Sequence, residues 1–199
     1  MGSLERYVNE EDAKFDPLVR CYLVHYQFEA IHPFADGNGR VGRALLALMI
    51  YKWLGHAMPW LYMSAYYERF RDEYMSCLFN TGTKGDWRNW IEFCLHGTVV
   101  QAKDAIRRCH LFHALRTDFH GRVDTPSSRT HALIEGLFQT PVVTITTVSK
   151  QFNIAYHTAQ ADIERLASVG ILHEVAGQYP RTFFAREILH IAYDREDES

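Results

Sequence analysis

At 199 residues and 23.1 kDa the chain has room for one large domain, or for a medium one with a small appendage, and excludes a long repeat array. With 47% hydrophobic and 14% aromatic residues it can build a core, which excludes wholesale disorder. A net charge of −3 gives no global attraction to phosphate backbones or anionic membranes, so any nucleic-acid contact must be local. The four cysteines are scattered without a CxxC pair, which argues against a disulfide framework or zinc site and fits a reducing cytoplasm. Met1–Phe15 is polar and charged, unlike a signal peptide. The longest apolar run, Ala44–Leu54, is broken by Lys52 and falls short of the roughly 20 residues that span a bilayer, so no membrane partner is expected.

In chain order, Leu18, Cys21, Tyr22, Val24, His25, Phe28 and Ile31 recur at helical steps, predicting a helix over Asp16–Ile31 with Asp16 as cap and Pro17 in the first turn. A second helix is expected to begin within Asn38–Arg43 and run to about Trp53. It is apolar almost all round and is closed by Gly55. Glu68–Phe79 and Asp86–Arg116 read as further helices, with a weaker one between. The Gly- and Pro-containing stretch Asp118–Ser128 reads as a domain boundary. Beyond it, Thr130–Gln139, Thr146–Phe152 and Ala155–Val169 read as helices, and Ile171–Val175 and Arg181–Ala185 as two strands around Gly177, the order of a winged helix-turn-helix.

The densest cluster of special residues is His32-Pro33-Phe34-Ala35-Asp36-Gly37-Asn38-Gly39-Arg40-Val41-Gly42-Arg43. Gly37 and Gly39 allow close backbone approach just where a helix begins, so the turn presents N–H groups to an anion. Arg40 and Arg43 lie three apart at a helix end whose dipole disfavours cations, a conflict that a bound polyphosphate resolves. Asp36 is suited to hold Mg²⁺ against phosphate oxygens, and His32 can act as a general base. The plainer alternative is a glycine-rich interhelical turn whose arginines pair with neighbouring acids.

The segment HPFADGNGRVGR resembles the signature of the Fic family, His-x-Phe-x-Asp/Glu-Gly-Asn-Gly-Arg-x-x-Arg. Similarity extends to His25–Ile31 before it and to Leu61–Tyr66, Arg71–Tyr74 and Gly85–Trp87 after it. The resemblance implies a mainly α fold, a Fic-type helical bundle over 1–120 followed by a winged helix-turn-helix over 128–195, as on many bacterial Fic proteins. It implies transfer of AMP from ATP to a Ser, Thr or Tyr hydroxyl of an unknown target protein. His32 would be the base, Phe34 would point inward as an anchor, and Asp36 would hold Mg²⁺. Gly37, Asn38 (backbone and side chain) and Gly39 would form an anion hole, and Arg40 and Arg43 would grip the outer phosphates across Val41 and Gly42. Tyr74 would contact the base, although Met75 stands where the family has a second tyrosine.

The family's target-docking flap and inhibitory helix find no counterpart upstream of Leu4 in this sequence, so autoinhibition through Arg43 is expected to be absent. His131–Gly136 only loosely resembles the inhibitory pattern and reads as structural. From Ser128 to Ser199 six basic residues face nine acidic ones. Strong DNA binding is therefore not expected, and protein contact or homodimerisation is favoured over weak DNA binding through His157, Thr158 and Gln160. A kinase-like transfer on the same scaffold and a nucleotide-sensing transcriptional regulator are the alternatives; the intact Gly39-Arg40 and Arg43 weigh against the first, and retention of His32 against the second.

Overall fold

A computed structural model describes residues 1–9, 14–55, 61–124 and 127–193. Its elements in order are α1 (Gly2–Asn9), α2 (Pro17–Ile31), α3 (Asn38–Trp53), α4 (Met63–Arg69), α5 (Arg71–Lys84), α6 (Trp87–Gly121), α7 (Ser128–Leu137), β1 (Val142–Thr144), α8 (Ile145–Phe152), α9 (Tyr156–Ser168), β2 (His173–Glu174), β3 (Thr182–Phe184) and α10 (Arg186–Tyr193). The mainly helical class holds. The chain divides into two units, Met1–Ile106 and Arg107–Ser199, and among the described residues no helix is long and apolar enough to cross a membrane.

In the first unit α2 forms as its sequence dictates: Asp16 Oδ1 accepts from Leu18 N at 2.9 Å, Pro17 opens the helix, and Cys21, Tyr22, Val24, His25 and Phe28 are buried. Trp90 of α6 is fully buried and donates its indole N–H to the Tyr22 carbonyl at 3.1 Å, tying the centre of this core together. The described cysteines are unpaired; burial pushes the Cys21 thiol up to about 12, which makes it a packing residue. Helix α1, which the sequence reading does not anticipate, is held by the buried Arg20, whose guanidinium donates to the Tyr7 carbonyl and lies 4.3 Å from the Trp53 ring centroid.

The second unit has its own core of Phe119, Ile134, Leu137, Val148, Ile163, Leu166 and Phe183. It takes Leu115, Phe119 and Val123 from the chain ahead of α7, so its packing begins earlier than the composition change at Asp118–Ser128 indicates. Thr125 and Pro126 of that stretch, and residues 194–199, lie outside the described residues. The expected helices appear as α7, α8 and α9. The expected strands shrink to β2 and β3, because Ile171 and Leu172 point into the core without joining a ladder. An unanticipated strand, β1, pairs antiparallel with β3 (Val143 opposite Phe183), giving the sheet order β1-β3-β2. Three residues are too few to show an alternating pattern, and helix α10, Arg186–Tyr193, is also not anticipated by the sequence reading.

Candidate active site

The His32–Arg43 segment forms the connection between α2 and α3. His32 is the C-cap residue of α2, in the left-handed region at φ 49°, with its N–H on the Phe28 carbonyl at 3.1 Å and its side chain exposed. Helices commonly end on a left-handed residue, and His is among the non-glycine residues enriched in that region. Gly37 follows at φ 81° as the N-cap of α3, a backbone geometry that glycine adopts without strain. No side chain caps α3. Its first-turn N–H groups, those of Asn38, Gly39 and Arg40, precede the first intrahelical bond from Val41 N to Gly37 O (3.0 Å), so the helix offers an uncapped positive end.

Asn38 and Phe34 are bonded to each other, and the phenyl ring departs from expectation. Asn38 is 2% exposed and both ends of its side chain are engaged inside the loop: Oδ1 accepts from Phe34 N at 2.8 Å and Nδ2 donates to Phe34 O at 2.6 Å. The amide braces the loop, which leaves one Nδ2–H and the Asn38 backbone N–H as its uncommitted donors. Phe34 is 48% exposed, with its ring 6.3 Å from that of Phe28. Backbone hydrogen bonding through Asn38 thus anchors the loop in place of an inward phenyl ring.

Asp36 is exposed and pairs with Arg40 at 3.3 Å, the side chains being 92% and 76% accessible, a contact of little strength that a stronger ligand displaces. One free-standing carboxylate beside a phosphate cradle suits Mg²⁺, which takes one or two carboxylates and completes its shell with phosphate and water; among the described residues no cluster of three or more acidic, His or Cys ligands exists to hold a metal without substrate. Bare backbone at Gly37 and Gly39 lets the two arginines fold close: a Cβ there would meet the Arg40 guanidinium at 3.3 Å and that of Arg43 at 3.0 Å. Val41 is exposed, and Gly42 is buried against Phe28 and Glu29 at the contact of α3 with α2.

Beside this loop lies a cavity of about 640 Å³ whose walls include Glu29 and His32, Gly39 and Arg43, Glu68, Arg71, Tyr74 and Met75. A smaller one of about 300 Å³ borders Arg40, Arg43 and Ser64, so Arg43 fronts both. Tyr74 is 7% exposed; its ring stacks on Tyr67 at 4.6 Å and its hydroxyl bonds His25 Nε2 at 3.1 Å, so it is first a core residue and reaches the cavity by one edge. Met75, 55% exposed, is the neighbour that faces outward. His25 is fully buried, and desolvation holds its imidazole low, at about 4, so it stays neutral. The reading of the motif missed Glu29, the single acid of α2. Burial pushes its carboxyl up while Arg43 and His32 pull it back down. A lone carboxylate three residues before His32 in an otherwise apolar turn is the signal that marks it.

Residues 1–50 match the family model described as Fic/DOC. Protein adenylyltransferase fic-1 of Caenorhabditis briggsae is 40% identical over 51 residues, 25% of this chain and 10% of that protein. Its Caenorhabditis elegans counterpart is 42% identical over 45 residues, 22% and 9% respectively. Protein adenylyltransferase Fic of Drosophila melanogaster is 39% identical over 51 residues, 25% and 10%. The matches thus span about a tenth of the length of these curated relatives. A crystal structure of a Fic family protein from Desulfovibrio desulfuricans G20 aligns with 92% of this chain and 53% of its own, at 21% identity and a TM-score of 0.47.

Proposed function

We propose that the first unit is a protein adenylyltransferase that moves AMP from ATP to a hydroxyl of a target protein, as the names of the relatives matching its loop suggest. The observation that carries this reading is the joint placement of His32 and Arg43 on one cavity wall beside the uncapped N-terminus of α3. The triphosphate lies along the N–H groups of Asn38, Gly39 and Arg40, with the two guanidiniums on its outer phosphates. His32 takes the proton of the target hydroxyl as that oxygen bonds to the α-phosphorus; the bond from that phosphorus to the bridging oxygen breaks and pyrophosphate leaves. Asp36 is the residue to hold Mg²⁺, which when bound neutralises phosphate charge. Most of the remaining acceleration comes from positioned positive charge, with no covalent enzyme intermediate required.

Incubating the chain with ATP labelled at either the α- or the γ-phosphate tests the reading. Protein labelled from the α-position supports it; label from the γ-position alone would replace it with phosphorylation. Tyr74 contributes one edge to the base pocket, and its core role predicts that Tyr74→Phe weakens folding more than nucleotide selection.

The second unit we read as a winged helix-turn-helix, with α8 and α9 as the paired helices and β2–β3 as the wing, working by protein contact or homodimerisation in the cytoplasm. Three of its arginines support this over DNA binding, because Arg129 pairs with Asp162, Arg122 with Glu187 and Asp118, and Arg181 with Glu174 and Glu164, which leaves Lys150 on α8 and Arg165 on α9 as the cations of the paired helices outside these pairs. Guanidiniums already neutralised by carboxylates release few counterions from a duplex. A salt-dependent gel shift of duplex DNA by the whole chain would reverse the preference.

A further inference from the structure

Glu29 is the one cavity-wall carboxylate whose chemistry the proposed reaction leaves unused and whose oxygen is sealed from water. Its Oε1 is buried with no hydrogen-bond partner among the described residues, an expensive state for a carboxylate. The packing that creates this state is specific. At Gly42 an added Cβ would collide with Glu29 Oε1 and stand 3.1 Å from Phe28 Cδ1, so the carboxylate occupies the space that a missing side chain leaves on α3. Gly42 directly precedes Arg43, and Glu29 lies one turn before His32. The three groups line the same cavity, and Glu29 interacts electrostatically with both of the others.

Resting on the adenylyl-transfer reading, we propose that Glu29 is a positioning residue that acts through His32: its half-buried negative charge stabilises the imidazolium formed when His32 accepts the hydroxyl proton and offsets the opposing charge of Arg43. The proton stays on His32 and Glu29 remains a carboxylate throughout, so no further group is needed to balance the step. Around His32 the cavity presents Arg43 from α3, Glu68 and Tyr67 from α4, Arg71 and Tyr74 from α5, and Tyr26 from α2. Of the two acids, Glu68 is exposed, whereas Glu29 is half-buried with one oxygen sealed from water, so water screens Glu68 the more. Removing Glu29 leaves His32 facing two arginines with only that screened counter-charge.

The test is the imidazole titration of His32, followed by NMR on the whole chain without nucleotide and assigned as the resonance missing from His32→Asn. In Glu29→Gln the midpoint moves to lower pH by about half a unit or more, and in Glu29→Asp, which keeps the charge, it stays near the parent. An unchanged midpoint in Glu29→Gln, or equal movement in both variants, overturns the proposal. Should Glu29→Gln not fold, Gly42→Ala displaces the same carboxylate and is expected to lower the midpoint likewise; no movement there also overturns it. Because the titration uses no ATP, absence of AMP transfer by the parent chain would remove the reading of function without deciding this coupling. Where transfer is seen, Glu29→Gln lowers kcat several-fold and shifts the acid limb of the pH–rate profile to lower pH, with little change in KM for ATP.

Discussion

The two units treat buried and half-buried charge in opposite ways. In the second, carboxylates meet guanidiniums: Asp162 is 5% exposed and receives both Nε and Nη2 of Arg129, and Glu187 and Glu174 each take a forked pair of bonds from Arg122 and Arg181. In the first, every buried side-chain polar atom found without a partner among the described residues is collected: Arg20 Nε, His25 Nδ1 and Glu29 Oε1. Paired charge is satisfied within the protein, whereas a buried polar atom without a partner is costly and gains from any group that satisfies it. Of the three, Glu29 is the one that lines the cavity beside the His32–Arg43 loop.

The largest test of this contrast is His32→Ala. Transfer is expected to fall by about 10²- to 10⁴-fold, the usual worth of a general base, while calorimetric ATP affinity stays near the parent value. Equal loss of both would make His32 a binding residue. Next, Asn38→Ala strips two bonds from the Phe34 backbone and should cost about 1–3 kcal/mol in denaturant unfolding, together with loss of activity. A stable, active variant would show that the loop is braced elsewhere.

A gentler effect comes from pH. Folded His25 protonates only near 4 whereas the unfolded side chain takes a proton at about 6.5, so stability is fully present above 6.5 and declines as pH falls toward 4. The slope is at most about 1.4 kcal/mol per pH unit from this group, and His25→Gln should flatten it in urea titrations run across that range. At the small end, the exposed ion pairs of Arg181 in the second unit predict that Arg181→Gln leaves the unfolding temperature unchanged within error. A marked drop would show that charge pairing there does more than occupy the surface.

Much of this was legible before any coordinates. Helices α2 and α3 declare themselves by apolar spacing, by Asp16-Pro17 at one start and by Gly55 after one end, because those signals are local. The same holds for α8 and α9. The loop's glycines and arginines were legible because each residue type has a narrow range of uses. What escaped were features set by tertiary partners. Helix α1 depends on Arg20 reaching Tyr7, β1 on a strand forty residues on, and the start of the second core on Phe119 packing under α7. The brace that Asn38 makes to Phe34 is not legible in sequence, because an amide in a glycine-rich turn has several uses and only the Phe34 distances reveal this one. Glu29 went unread because its meaning lies in the space left by Gly42.

The Asn38 brace carries one last implication. Both of its hydrogen bonds close over only four residues, and the chain between them contains the turn that presents the cradle. The geometry of this loop is therefore written in a short contiguous stretch and forms with little loop-closure entropy. The cavity walls on α4 and α5 come from remote sequence. On the proposed reading, substitutions there are expected to change which substrate enters while leaving the loop's own brace in place.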